Sequence, residues 1–315
     1  MGPKGGSMGP GALVQMGYIA RRFYCDGRTR IQISDELGLS RFKVARILEE
    51  ALERGIVKIE ISTPDSIDLE LSLALKDRFG LSRAIAVVVP GDLPAITQDH
   101  LGRAAASLLS EIVVEGDVLG LTAGRTITAM AGHLDKLAYC EVVQLAGVAG
   151  PAVDNGVEVI RKVSRVSHGR SQAIYAPLVV ENAETAAALR REPSISSTLR
   201  RFDSVTKAVL AVGSWSPPDS QLYDTAAQLG ILDELLALGV QAEVCSTLLD
   251  RDGRVIEAIA ARSIAISTAQ LRSVPEVIAV AGGPFKGAAV AAALRSGIVK
   301  SLVTDTALAQ RLLTA

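Results

Sequence analysis

The chain has 315 residues, with 33 Lys/Arg against 34 Asp/Glu and a formal net charge of −1, a balance that by itself does not suggest a nucleic-acid binder. Aromatic residues make up only 3% while Ala, Val, Leu and Ile dominate, which suits an α/β protein with hydrophobic parallel strands. No window approaches the roughly 18–20 uninterrupted apolar residues of a membrane span, no charged-then-apolar secretory pattern opens the chain, and Cys25, Cys140 and Cys245 lie far apart without CxxC spacing, so the sequence reads as a reduced, cytoplasmic protein with neither a disulfide framework nor a zinc site.

The length suits one small and one large domain. Residues 1–11, MGPKGGSMGPG, have no apolar period and read as a disordered or appended tail. Residues 12–62 form the expected first domain. A helical pattern covers Val14–Tyr24, Asp26-Gly27 turns, and a short helix covers Arg30–Leu37. Gly38 breaks it, Ser40 caps a third helix over Arg41–Arg54, and Gly55 ends that helix. Ile56–Ser62 alternates apolar and polar residues, as in a strand or wing. After Thr63-Pro64-Asp65, helix resumes over Ile67–Phe79.

From Ala84 onward, within an expected second domain of residues 63–315, short apolar strands alternate with helices. The strands are Ala84–Val89, Asp117–Leu121, Glu141–Gly147, Lys207–Gly213, Val277–Gly283 and Ser301–Asp305. Helical stretches include His100–Val114, Arg125–Leu137, Ser220–Leu236 and Lys286–Ser296. Such alternation implies a mostly parallel sheet with helices on both faces. Asp252-Gly253 signals a two-residue hairpin.

Charge is uneven along the chain. Residues 1–60 hold 10 Lys/Arg against 7 Asp/Glu, leaving 23 against 27 in the remainder. The mildly basic head contains the strongest local motif. Ile33 and Leu37 share one helical face, and after the Gly38 turn Val44, Ile47 and Leu48 supply the facing stripe, the arrangement of a helix-turn-helix. Ser40, Arg41, Lys43 and Arg46 then point outward from the second helix, where arginine can pair with guanine edges and lysine or serine can reach phosphates or bases. Gln32 is placed to bond a phosphate.

These residues resemble the N-terminal domain of the SorC-type (sugar-binding, DeoR-like) bacterial transcriptional regulators. The resemblance rests on Tyr24, Gly27, Gln32, Leu37-Gly38-Leu39-Ser40-Arg41, Val44-Ala45-Arg46-Ile47-Leu48 and Gly55-Ile56-Val57. Ser34 and Ala45 depart from the usual Ala and Ser.

In the second domain, Thr122-Ala123-Gly124-Arg125-Thr126 joins a strand to a helix start, where outward backbone N–H groups attract anions, phosphate above all. It is neither a Walker loop nor a GxGxxG fingerprint. The family has a phosphate-binding loop here, and Gly124, Arg125 and Thr126 match it. The resemblance continues through Val142–Gly147, Ala176–Val180, Ala211–Ser214, Glu243–Cys245 with Asp250–Gly253, Ala281–Lys286 and Leu302–Asp305. It implies that Lys286 contacts the effector's anionic group and that Glu243, where most members have Asp, accepts sugar hydroxyls. Gln144 faces either the core or the ligand, and Trp215 is either a lid or loop packing. Asp154, Asn155, His168 and Arg170 flank a polar stretch that could border the pocket mouth. His100, His133 and His168 are scattered, and no metal or cofactor is expected.

The resemblance implies a helix-turn-helix head on a large α/β body like the sugar-phosphate isomerase and glucosamine-6-phosphate deaminase fold. It implies a regulator of a carbohydrate operon, with operator DNA and a phosphorylated sugar as partners and self-association as dimer or tetramer on palindromic sites. The alternative is a sugar-phosphate isomerase- or deaminase-like enzyme with a DNA-binding head. The sequence offers no convincing acid–base pair for that chemistry.

Overall fold

Pro10 opens the first helix, α1 (Pro10–Tyr24), at the position where its missing N–H costs nothing. The computed structural model describes residues 9–59, 67–91, 93–149 and 153–314. Pro10 and Gly11 are helical, so the expected tail is shorter than residues 1–11; residues 1–8 lie outside the described residues. The chain folds as two compact units, Met1–Ser62 and Thr63–Ala315.

In the first unit α2 (Arg30–Leu37) begins with a capping box: Thr29 accepts from the Gln32 N–H, and Gln32 Oε1 accepts from the Thr29 N–H. Gly38 ends it in the left-handed conformation, with φ 65°. Ser40 Oγ then accepts from Lys43 N at 3.2 Å and starts α3 (Arg41–Glu53). The core consists of Met16, Ile19, Ala20, Ile33, Val44, Leu48 and Ala51, with Leu37 and Ile47 packed beside it. The strand expected over Ile56–Ser62 is not formed at residues 56–59; residues 60–62 lie outside the described residues.

The second unit runs β1 (Ile67–Asp68), α4 (Leu69–Phe79), β2 (Arg83–Val87), α5 (Pro94–Ile112), β3 (Val118–Leu121), α6 (Arg125–His133), β4 (Glu141–Gln144), α7 (Val153–Ser167), β5 (Ser171–Gln172), α8 (Ala183–Arg191) and α9 (Pro193–Leu199). It continues through β6 (Lys207–Leu210), β7 (Val212–Trp215), β8 (Pro218–Asp219), α10 (Gln221–Gln228), α11 (Leu232–Ala237), β9 (Ala242–Val244), β10 (Thr247–Leu249) and β11 (Val255–Ile256). α12 (Thr268–Ser273), β12 (Glu276–Val280), α13 (Gly287–Arg295), β13 (Ser301–Asp305) and α14 (Thr306–Thr314) complete it.

The large sheet has the order β1-β2-β13-β12-β6-β3-β4-β5, parallel except for β1. Its side chains alternate between two cores. Ala86, Val143, Ala208, Val277 and Leu302 join one with α4, α13 and α14; Val87, Val142, Val209, Ile278 and Val303 join the other with α5, α6 and α7. Among the described residues, no helix is long and apolar enough to cross a membrane.

Several expected elements differ in extent. Ile67–Phe79 is not one helix: Ile67 and Asp68 pair with β2, and Asp68 caps α4 by accepting from Leu71 N at 2.9 Å. The run Lys207–Gly213 is divided between two sheets, β6 staying in the parallel sheet and β7 entering a small antiparallel sheet of order β11-β10-β9-β7-β8. Gly230, at φ 68°, splits the helix expected over Ser220–Leu236 into α10 and α11. The Asp252-Gly253 connection is not a two-residue turn. Leu249 pairs with Val255, leaving Asp250–Arg254 as the loop, and Asp250 Oδ1 accepts from the N–H groups of Asp252 and Arg254, both at 2.8 Å.

Candidate functional site

The strand order reverses between β3 and β6. From β3 the chain proceeds outward to β4 and β5, whereas β6 leads the other way to β12 and β13. In open parallel sheets the crevice beyond the carboxyl ends at such a reversal is where ligands bind. The segment Gly124-Arg125-Thr126 follows β3 at this crevice. Gly124 has φ 148°, a conformation that favours glycine, and its carbonyl accepts from Thr128 N and Oγ1 at 2.8 and 3.0 Å. Arg125 is exposed, and Gly124 and Thr126 are partly so.

Lys286 ends a 3-10 turn, Pro284–Lys286, after β12 and just ahead of α13 rather than inside it. Its Nζ donates to the Val212 carbonyl at 3.1 Å and lies 2.9 Å from Oδ2 of Asp219. Oδ1 of Asp219 accepts from Arg125 Nη2. One carboxylate thus joins the loop after β3 to the lysine after β12. Burial pushes the Asp219 carboxyl up, but the bond and charge of Lys286, with Arg125 behind it, outweigh burial and hold it below the usual carboxylate range.

Glu243 is on β9, opposite Gly213 of β7. It is partly buried, and the loss of solvent pushes its carboxyl up to about 7; hydrogen bonds from Ser220 and Trp215 and the Lys286 charge act against that rise. Trp215 is 2% exposed, packs edge-on against Tyr223 with ring centroids 5.4 Å apart, and directs its indole N–H at Glu243 Oε2. It is a wall of the small sheet and not a surface lid. Gln144 is 1% exposed, its Nε2 donating to the Ala146 carbonyl at 2.7 Å and its Oε1 accepting from Ile174 N at 3.1 Å. Both ends of its amide are used by backbone, the arrangement of a core amide. Of the polar stretch expected to border the pocket mouth, His168 adopts φ 56° and the Arg170 carbonyl accepts from Val142 N at 2.8 Å; the side chains of Asp154 and Asn155 lie outside the described residues.

The sequence missed Asp219. The available signal was Lys286 itself, since a cation at a helix start calls for an anionic partner; nothing in the spacing says which carboxylate answers. In the first unit Ser40, the cap of α3, and Arg41, Lys43 and Arg46 on α3 itself are exposed, with Val44 and Leu48 buried beneath. Gln32 is exposed too, but its amide oxygen belongs to the capping box.

Residues 65–314 match the family model described as "Putative sugar-binding domain". The chain belongs to the SorC-type sugar-binding transcriptional regulators. The transcriptional regulator LsrR of Klebsiella pneumoniae subsp. pneumoniae is 29% identical over 315 residues, covering 96% of this chain and 94% of that protein. The uncharacterized transcriptional regulator YjhU of Escherichia coli K12 is 27% identical over 302 residues, covering 92% of each. The crystal structure of the full-length sorbitol operon regulator SorC from Klebsiella pneumoniae shares the fold of the regulator, with a TM-score of 0.72, 24% identity and coverage of 96% of this chain and 99% of that one. The regulator therefore has the α/β fold and the DNA-binding, transcription-regulating character expected from its motifs.

Proposed function

We propose that the regulator controls a carbohydrate catabolic operon and is itself controlled by a small phosphorylated sugar or a close analogue. The observation that carries this reading is the convergence of Arg125 and Lys286 on one point beyond β3 and β12, with Glu243 one ladder position from the Val212 carbonyl that Lys286 holds. Gly124–Thr126 and Lys286 would take the phosphate, the helix N-terminus adding its backbone donors. Glu243 would take a sugar hydroxyl, as acceptor when ionised or as donor when protonated. Ser40, Arg41, Lys43 and Arg46 read the operator and Gln32 touches its backbone, in a dimer or tetramer whose symmetry matches a palindrome. The effector acts by preferring one subunit arrangement, a coupling of typically about 1–3 kcal/mol.

Thermal-shift titration of the purified regulator against a panel of sugars and sugar phosphates tests the effector class, because a ligand of the native state raises the melting point. A sugar phosphate should stabilise the regulator and Lys286→Ala should not respond; an unchanged response in that variant removes Lys286 from the site. A second reading, an isomerase- or deaminase-like enzyme with a DNA-binding head, draws on Glu243, whose pKa near 7 suits proton transfer. Turnover of a sugar phosphate by the purified regulator would establish it.

A further inference from the structure

The two cations proposed to take the effector's anionic group already share an anion. Asp219 bonds Arg125 through Oδ1 and pairs with Lys286 through Oδ2 at 2.9 Å. The side chains of Lys286 and Asp219 are 14% and 22% exposed, whereas that of Arg125 is 63% exposed, so the Lys286 pair is the one held largely away from solvent. A carboxylate and a phosphate monoester seek the same donors at the same distances. Held side by side near one lysine they also repel each other.

Asp219 sits on a short strand at one edge of the small sheet. β8 has two residues and, among the described residues, pairs only with β7, through Ser214–Asp219 and Trp215–Pro218. The next residue, Ser220, caps α10 by accepting from Leu222 N and Tyr223 N at 3.0 and 3.2 Å. Movement of Asp219 therefore reaches α10 directly, and through the Pro218 pairing it reaches Trp215, the single tryptophan of the chain.

We propose that Asp219 is a built-in counter-anion that fills the anion subsite of the effector-free regulator and is displaced by the effector's phosphate or similar anionic group, with β8 and the start of α10 as the segment that reports occupancy. This rests on the anion-site reading of Arg125 and Lys286 given above. Displacement makes the site selective. A neutral sugar gains nothing from evicting Asp219, while a dianion replaces a single carboxylate with more charge and more acceptors. It also keeps both cations paired when no effector is present.

Intrinsic tryptophan fluorescence of the full chain tests this, with titration by inorganic phosphate, glycerol 3-phosphate and glycerol. In the wild type the two phosphates should change the Trp215 emission saturably and glycerol should not. Asp219→Asn should bind both phosphates about tenfold more tightly or better, since it removes the competing charge, and its ligand-free emission should already lie toward that of the occupied wild type. Asp219→Ser gives a second neutral variant should the first misfold by circular dichroism, and Asp219→Glu, which keeps the charge, should stay near wild-type affinity. If the wild type and the neutral variants bind phosphate equally, Asp219 is no counter-anion, although the anion site stands. If neither the wild type nor a folded neutral variant binds either phosphate, the anion-site reading falls and the counter-anion with it.

Discussion

Gly213 faces Glu243 across the β7–β9 ladder so closely that a Cβ at position 213 would fall 2.5 Å from Glu243 Cγ and 2.7 Å from its Oε1. The atoms it would meet belong to one side chain. Gly213→Ala therefore forces Glu243 off its present course, away from the Trp215 indole. Overpacking of this kind costs about 1–3 kcal/mol. The cost should largely vanish in the double variant Gly213→Ala/Glu243→Ala, as measured by denaturant midpoints. Additive single-variant effects would show that the close approach is not what fixes the glycine.

Glu243 also sets a pH dependence. Its carboxyl is raised from an ordinary 4.5 to about 7, first by burial. Between those values the folded chain holds a proton that the unfolded chain has released, so this group's contribution is fully present below about 4.5 and is lost as pH rises through about 7. Glu243→Gln removes that dependence. The variant should match the wild type in the acid part of the window and exceed it at pH 8, by at most about 3 kcal/mol. Urea midpoints across the range check this; parallel profiles for the wild type and the Glu243→Gln variant would mean that the carboxyl titrates normally.

The sequence was informative where one local pattern fixes one local structure. Gly38 and Ser40 end one helix and cap the next with chemistry complete within three or four residues, and the turn of the head follows from them; the Thr29–Gln32 capping box is equally local, but in the sequence Gln32 reads as a phosphate contact instead. The parallel strands were visible as apolar runs because both of their faces are buried. Ala211 shows where this stops. An unbroken apolar run serves β6 and β7 in two different sheets, and hydropathy does not distinguish one buried partner from another. The site divides in the same way. Gly124–Thr126 and Lys286 stand out as loop chemistry at strand ends, whereas Asp219 acquires its role only through two contacts, 94 residues away in one case. Gln144 looked ambiguous because a buried amide and a ligand-facing amide have the same letter; its partners are backbone groups brought in by the fold.

Asp117 and Lys207 join the starts of β3 and β6 by an ion pair at 2.6 Å, with side chains 7% and 16% exposed. Burial pushes the Asp117 carboxyl up, but bonds from Lys207, Thr206 and the Val114 N–H together hold it below its ordinary value. Asp117→Ala leaves a half-buried ammonium unpaired and two further donors without this acceptor, and should cost up to about 3 kcal/mol, the low end for a buried pair. Lys207→Met leaves the carboxylate its Thr206 and Val114 donors and should cost less. Equal costs in thermal or urea unfolding would place the stability in the pair itself rather than in the carboxylate's three bonds.

In the head, Leu48 and Arg46 lie two residues apart on α3 but face opposite ways, the first 2% exposed and the second open to solvent. Among the described residues, the core that Leu48 joins has only seven buried members. Leu48→Ala, at about 2–5 kcal/mol for a truncated core leucine, should unfold this small unit and abolish DNA binding, with helical circular dichroism falling in step. Arg46→Ala should leave the helical signal unchanged. If Arg46 pairs with a base edge, its loss should weaken binding by about 1–3 kcal/mol and relax preference at one operator position. Selection of binding sites from a random duplex pool, run on both variants and the wild type, separates the two effects. A folded Arg46→Ala regulator that selects the wild-type operator with undiminished affinity would remove Arg46 from the reading surface and leave base contact to Ser40, Arg41 and Lys43.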